Sequence, residues 1–503
     1  MAHWADTAAD RLSIRQTPYR LATGISPSGD IHLGNLREVM TAEGVYRVLG
    51  ERGTPAELLF IADNLDPLRR VYPFLDPEIY APLVGQSLSD MRCPCEGHPS
   101  YAEHYLEPFL ASLQELGIDV QVIRADELYA SGRMDEVIGQ ALGGTAAIAT
   151  ILHSLTGKRV PGEWSPFDPR CRECRRLTES LVTGFDLSAK TVSYSCACGG
   201  RGEVPFAGGG KLTWRVDWPA RWKVLGVTLE PFGKDHASRG GSYDTGVRII
   251  REVFGAEPPV SLPYEWIALK GQGDMSSSKG NVLSIHGMLD VAPPEALRYL
   301  VLRAEPARSI AFDPGLPLLN LCDELENPEN KNRNARAAEL ARLGEHARLG
   351  VPFRHLVTVA QVAGFDPARS REVLARTGYG VTDEEILTGS LGYVRNWLEE
   401  FAPEQVRFSI ASGLPEASAG LDANQRGFLL ALSDRLPDEA GGEDLHTLIY
   451  DLIKERGAPA PGPYFKAIYI AFIGKERGPR VGHFLAALPR DFVHSRLREA
   501  GSH

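Results

Sequence analysis

Apolar and polar positions near the start of the chain switch repeatedly between a spacing of two and a spacing of three to four. Tyr19-Arg20-Leu21-Ala22-Thr23 has strand character, and Gly24-Ile25-Ser26-Pro27-Ser28-Gly29 is turn chemistry. Leu36, Val39, Met40, Tyr46 and Leu49 then recur at helical spacing, with Gly50 as a stop. Ala56 to Ala62 reads as a buried strand ending at Asp63. A helix-like stretch from Tyr105 to Leu116 leads into a further strand, Val120 to Ile123. Strands alternating with helices predict a doubly wound α/β domain around a parallel sheet.

The pattern breaks between about Pro161 and Lys211, where two cysteine pairs, several prolines and Gly208-Gly209-Gly210 read as an insertion. The α/β pattern returns from Trp214 to about Leu302, and after Pro314 the chain turns mostly helical. Thr382 with Glu385 predicts a capping box, followed by Leu387, Leu391, Val394 and Leu398 at helical spacing. Leu445, Leu448, Ile449, Leu452 and Ile453 form a second stripe, and Phe465, Ile468, Tyr469 and Phe472 a third; all three read as core.

Composition narrows the class. A chain of 503 residues is too long for one ordinary core. Its 43% hydrophobic and 24% charged residues exclude disorder or a fibrous repeat. A net charge of −11 argues against indiscriminate phosphate binding while allowing a local basic surface. Met1 to Leu12 has no apolar signal region, and no run approaches the ~20 apolar residues of a membrane span, so the chain is expected to be soluble and cytoplasmic.

Six of the seven cysteines fall in close pairs, which suits metal ligands better than disulfides. Cys171-x-x-Cys174 and Cys196-x-Cys198 offer four thiolates for a tetrahedral structural zinc, and Gly199-Gly200 permits a tight knuckle. Cys93, Cys95, His98 and His104 could form a second site, but their looser pattern reads as holding no metal.

Two segments carry candidate chemistry. Pro27-Ser28-Gly29-Asp30-Ile31-His32-Leu33-Gly34-Asn35 follows the first strand and opens a helix, whose N-terminus attracts phosphate. His32 and Asn35 share a face there, and Gly34 leaves room for a base or ribose. Gly273-Asp274-Met275-Ser276-Ser277-Ser278-Lys279-Gly280-Asn281 reads as a mobile loop able to wrap a polyanion. Just past the second strand, Asp63 and Asp66 could hold an amine. Asp217 and Asp235 are expected to pair with Arg215 and Lys234.

Together these segments resemble the H-I-G-H and K-M-S-K-S signatures of class I aminoacyl-tRNA synthetases. In detail Thr23 to Gly29, His32 to Glu38 and Met275 to Asn281 resemble class I lysyl-tRNA synthetase. So do Asp66 to Arg69, Ser100 to His104, Trp214 to Trp222, Pro263 to Trp266 and Gly474 to Arg480. The resemblance covers nearly the whole chain.

It implies activation of L-lysine by ATP to lysyl-adenylate, with Mg2+ on the phosphates, and transfer to the terminal adenosine of tRNA(Lys), at its 2′-hydroxyl. Catalytic roles would fall to His32, Asn35, Ser276, Ser277, Ser278 and Lys279, and ATP contacts to Pro27, Gly29, His32, Gly34, Asn35 and Met275. Lysine would be held by Gly24, Ser26, Asp63, Trp214, Trp218, His236 and Tyr264. The implied layout is a Rossmann-type catalytic domain over 1–160 and 212–315, a zinc-bearing insertion over 161–211, and an α-helical anticodon-binding domain over 316–503. A cytoplasmic monomer with no membrane partner is implied too.

Asp274 stands where the general signature has lysine, and Ser277 takes its second lysine position. An acid beside a polyphosphate repels it, which leaves two alternatives open: a lysine-adenylating paralogue acting outside translation, or a non-catalytic tRNA-binding regulator. A relative specific for glutamate fits the Pro263-Tyr264-Glu265-Trp266 and tri-serine stretches less well.

Overall fold

The computed structural model describes residues 2–271, 273–274, 282–326, 334–344, 349–457 and 460–503. Met275 to Asn281, which carry the tri-serine and Lys279 expectations, lie outside the described residues. The chain divides into two compact units, one made of Met1–Met288, Arg298–Phe312 and Asn332–Arg342, the other of Leu289–Leu297, Asp313–Lys331 and Leu343–His503.

The first unit is built on a five-stranded sheet. Its strands are β1 (Tyr19–Ile25), β2 (Ala56–Ala62), β3 (Gln121–Arg124), β4 (Leu229–Gly233) and β5 (Val260–Tyr264), in the spatial order β5-β4-β1-β2-β3. Every neighbouring pair is parallel; β1 and β2 run in register from Tyr19↔Ala56 to Ile25↔Ala62. Inside the sheet β2 is buried on both faces and reads as an apolar run from Leu58 to Ala62. The chain winds from β1 outward through β2 to β3, then returns to lay β4 on the other side of β1. That reversal leaves a crevice beyond the carboxyl ends of β1 and β4, where open α/β sheets bind ligands.

Helix α1 (Leu33–Glu51) follows β1 and buries Leu33, Leu36, Val39 and Met40. Helix α2 (Tyr101–Glu115) begins four residues earlier than its pattern suggests, because Ser100 caps it by accepting from Glu103 N–H. Helix α3 (Trp214–Leu225) runs toward β4 and ends on left-handed Gly226, which frees the chain to turn back into the sheet.

The insertion is a small β structure. Phe167–Pro169 pairs antiparallel with Gly210–Leu212, and Ser180–Asp186, Thr191–Cys196 and Arg201–Pro205 form a three-stranded sheet. One face of that sheet carries Val192, Tyr194 and Val204, which join the same core as Leu59, Ile61 and Trp218.

The second unit is helical, with a core that includes Phe428, Leu445, Ile449, Ile468 and Phe472. The three stripes lie on helices as the spacing predicts. The capping expectation is off by one residue: Asp383, not Thr382, caps Glu384–Glu400, accepting from Glu385 and Ile386 N–H. Asp383 immediately precedes the first helical residue, so its carboxylate lies beside the free N–H groups of the first turn, one residue closer than Thr382. Among the described residues no single helix is long and apolar enough to cross a membrane.

Candidate functional site

The turn after β1 delivers His32 to the N-cap of α1. Its Nδ1 accepts from Gly34 N–H at 3.1 Å, while Asn35 Oδ1 accepts from His32 N–H at 3.1 Å. The two residues expected to meet nucleotide thus also form a reciprocal capping box. Burial lowers the His32 pKa to about 4, so the imidazole is neutral at physiological pH. With Nδ1 accepting, the proton sits on Nε2, which is a donor. Tyr101, fully buried, holds the turn itself by donating to Ser28 O at 2.8 Å. Just after the tri-serine motif in sequence, Leu283 O accepts from Leu33 N–H at 3.0 Å and Ser284 bridges to His32. Asp274 pairs through its backbone with Ala268.

Beside this helix end, in the crevice between β1 and β4, lies a cavity of about 50 Å³. Gly24, Ile61, Asp63, Trp214, Trp218, Arg221, Pro231, Phe232 and His236 line it, with Glu38 and Glu230. Four of the expected lysine-binding residues, Gly24, Asp63, Trp214 and Trp218, therefore converge with a fifth, His236. Tyr264 reaches the same place through Glu38, to whose Oε2 its hydroxyl donates at 2.7 Å. Trp214 and Trp218 stack at 5.4 Å, with His236 5.5 Å from Trp218. Ser26 is turned aside and donates to Asp66 at 2.5 Å.

A buried ionic network supports the wall. Arg221 donates to Asp63 at 2.7 Å and lies 3.2 Å from Asp217. Lys211, from the insertion, contacts Asp66 and lies 3.5 Å from Asp63 and 3.6 Å from Asp217. Burial opposes its charge, but the surrounding carboxylates outweigh that and hold its pKa above the ordinary value. Tyr129 donates to Asp217 at 2.6 Å. The expected Asp217–Arg215 pairing is replaced by this network, because α3 turns Arg215 toward Gly240 O and Thr245. Lys234 pairs with Glu265. Arg221, Lys211, Glu38 and Glu230 were not legible as site residues. Only the spacing of Asn35 and Glu38, three apart on α1, hints that Glu38 lies near the working face.

Glu38 accepts from Gly24 N–H at 2.7 Å as well as from Tyr264. Glu230 accepts from the indoles of Trp218 at 2.9 Å and Trp222 at 2.5 Å. Burial pushes the two carboxyls up to about 8 and about 7 respectively. The cavity wall thus holds three carboxyls, Glu38, Asp63 and Glu230, against one guanidinium, Arg221.

Two further groups could hold metal ions. The ligand atoms of Cys171, Cys174, Cys196 and Cys198 lie within 4.8 Å of one another. The Cys171–Cys198 and Cys174–Cys196 sulfurs are 3.7 and 3.6 Å apart. Thiolates about 2.3 Å from a tetrahedral zinc sit at such separations. A Cβ at Gly200 would come within 3.0 Å of the Cys171 sulfur, so only glycine closes the knuckle. The second group, read from the sequence as holding no metal, converges equally well. The six separations among Cys93 Sγ, Cys95 Sγ, His98 Nδ1 and His104 Nδ1 run from 3.2 to 3.6 Å. His104 comes from the first turn of α2, so a fold-back at Ser100 brings it onto the Cys93–His98 loop. The spacing alone could not show that.

Known proteins resemble the chain throughout. The family described as tRNA synthetases class I (K) matches residues 2–348. A lysine--tRNA ligase of Methanosarcina barkeri is 47% identical over 528 residues, covering 100% of this chain and 98% of its own length. One of Archaeoglobus fulgidus is 47% identical over 500 residues, covering 99% and 100%. One of Thermoplasma volcanium is 39% identical, covering 98% of both chains.

Proposed function

Because the chain belongs to the class I (K) tRNA synthetases, we propose that it is a lysine–tRNA ligase whose amino-acid pocket is the crevice between β1 and β4. The observation that carries the choice of lysine is the excess of carboxyls in an aromatic-walled cavity. A substrate with two ammonium groups on an aliphatic stem complements such a wall, with the methylenes against Trp214, Trp218 and Phe232.

The chemistry needs no protein nucleophile. The lysine carboxylate attacks the α-phosphorus of ATP, bound with Mg2+ as the substrate complex, and pyrophosphate leaves. A ribose hydroxyl of the terminal adenosine of tRNA(Lys) then attacks the lysyl carbonyl, AMP leaves and the hydroxyl proton departs. Rate enhancement comes from positioning and charge stabilisation. The α1 N-terminus offers its amides, with Gly34 leaving the approach open and Pro27 and Gly29 shaping the turn. His32 donates from Nε2 to a phosphoryl oxygen, and Asn35 fixes His32. Ser276, Ser277, Ser278 and Lys279, with Met275, are assigned to the pyrophosphate and adenosine side by their place in the motif.

The helical unit is assigned to the anticodon arm. A cavity of about 650 Å³ there is bordered by Arg354, Arg477 and Arg480 and by His355, Tyr379, Phe408 and His483. Cations for phosphate and flat rings for stacking suit a single-stranded base. Both cysteine groups fit Zn2+ as a structural ion, and the chain is taken to act as a cytoplasmic monomer. Aminoacylation of total tRNA with each radiolabelled amino acid tests the reading: lysine alone should be esterified, and absence of lysyl-tRNA at every enzyme level overturns it.

A further inference from the structure

We propose that Tyr101 is a positioning residue for the turn that receives nucleotide, and that a zinc ion on Cys93, Cys95, His98 and His104 holds Tyr101 in place. ATP affinity then follows metal occupancy at this group; this rests on the ligase reading above. In the turn between β1 and α1, Ser26 donates to Asp66, and Ser28 O accepts from the Tyr101 hydroxyl at 2.8 Å. Ser28 stands four residues before His32. Tyr101 is the first residue of α2 and is fully buried among Leu68, Tyr80, Leu88 and Tyr105, a cluster separate from the core that holds Leu59 and Trp218. Its hydroxyl holds Ser28 only as firmly as the first turn of α2 is itself held.

That turn is built around the cysteine–histidine group. Tyr101 N–H donates to Met91 O at 2.9 Å, closing a loop over residues 91–101. Cys93, Cys95 and His98 lie within the loop, and His104 sits one helical turn past Tyr101. The His104 ring meets Tyr105 at 4.7 Å, and Tyr105 meets Tyr101 at 5.1 Å. Glu96, inside the loop, has a left-handed φ of 62°, which a residue other than glycine keeps only where its surroundings impose it. The six separations of 3.2 to 3.6 Å among the four ligand atoms identify what imposes it. Two thiols and two imidazole nitrogens carry at most four hydrogens there, so mutual hydrogen bonding does not account for all six contacts. Ligands at about 2.0–2.3 Å from a tetrahedral zinc stand about 3.3–3.8 Å apart, which does. Loop, helix end and Tyr101 then move as one piece, and that piece ends on Ser28.

Tyr101→Phe removes only the hydroxyl and leaves the ring in its cluster. In lysine-dependent ATP–pyrophosphate exchange it should raise the KM for ATP about fivefold, because the turn is then in place for a smaller fraction of the time. The KM for lysine and the zinc content should keep their wild-type values. Cys95→Ser should lose about one zinc and raise the ATP KM at least as much. Combining the two should raise it by less than the product of the single effects, since both act through one hydrogen bond. An unaltered ATP KM in folded Tyr101→Phe overturns the positioning role, and fully multiplicative effects overturn the coupling. If Cys95→Ser does not fold, metal analysis of the wild type decides, since fewer than two zinc ions per chain also overturns the coupling. A zinc-loaded wild type without lysine-dependent exchange would instead strike the ligase reading, which separates the two failures.

Discussion

The backbone N–H of Leu33, the first residue of α1, donates to the carbonyl of Leu283 at 3.0 Å. That single bond ties the helix end expected to receive phosphate to the segment that follows the tri-serine motif. Two stretches some 250 residues apart in sequence thus meet at His32. The predictions below probe the site built around that meeting.

His32→Ala should abolish lysine-dependent exchange while leaving the protein folded, because the variant loses the Nε2 donor and one half of the capping box. Capping losses cost about 1 kcal/mol. A melting curve shifted by only a few degrees, with exchange lost, is the expected result; near-normal exchange would remove His32 from the phosphate site.

The pH behaviour of His32 has a definite sign. Its folded pKa of about 4 lies below the ordinary 6.5, so between those values the unfolded chain binds the extra proton. Stability contributed by the neutral buried ring is complete above pH 6.5 and falls as the pH drops toward 4. Urea unfolding between those pH values should show this slope, and His32→Asn should flatten it.

Gly24→Ala separates space from stability. A Cβ there meets Ile61 O at 3.5 Å and Ile61 Cβ at 3.7 Å, ordinary contact distances, so the fold should lose no more than about 1 kcal/mol. The methyl would enter the cavity that Gly24 lines. The lysine KM should rise with the ATP KM unchanged; an unaltered lysine KM would move the pocket elsewhere.

Lys211→Ala takes from Asp66 its ion-pair cation and leaves Asp63 and Asp217 with Arg221 alone. Removing one partner of a buried ionic set costs about 3–5 kcal/mol. Lowering the pH should shrink the deficit relative to wild type, since protonating the stranded carboxyls relieves it. A deficit that grows on acidification would contradict the network.

Metal analysis should return about two zinc ions per chain. Cys174→Ser and Cys95→Ser should each remove about one, and the loss in the second variant is the sharper test because its ligands come from a loop and a helix end. Retention of full zinc by Cys95→Ser would return that group to four unrelated side chains.

Sequence periodicity locates β2 to the residue, because a strand buried on both faces is one unbroken apolar run from Leu58 to Ala62. While the cap at His32 emerges only from the structure, that a helix opens after the Gly24–Gly29 turn is equally legible, since turn chemistry is local. Glu38 and Glu230 were not, because an acid on a helix and another in a strand are ordinary until topology sets β1, β4 and β5 side by side. The same holds for Lys211, whose partner Asp66 lies 145 residues away in the chain. The convergence of the Cys93 group was hidden for a related reason: its fourth member arrives only after α2 has been capped at Ser100.

Lys211 sits on the three-residue strand Gly210–Leu212, paired with Phe167–Pro169, which leads directly to Cys171. The cysteine knuckle and the acid network beside the amino-acid pocket are therefore two ends of one short lever. A chelator that empties the knuckle would loosen the strand that presents Lys211. Weakened lysine capture should then precede any melting of the sheet, making amino-acid affinity a gauge of metal supply.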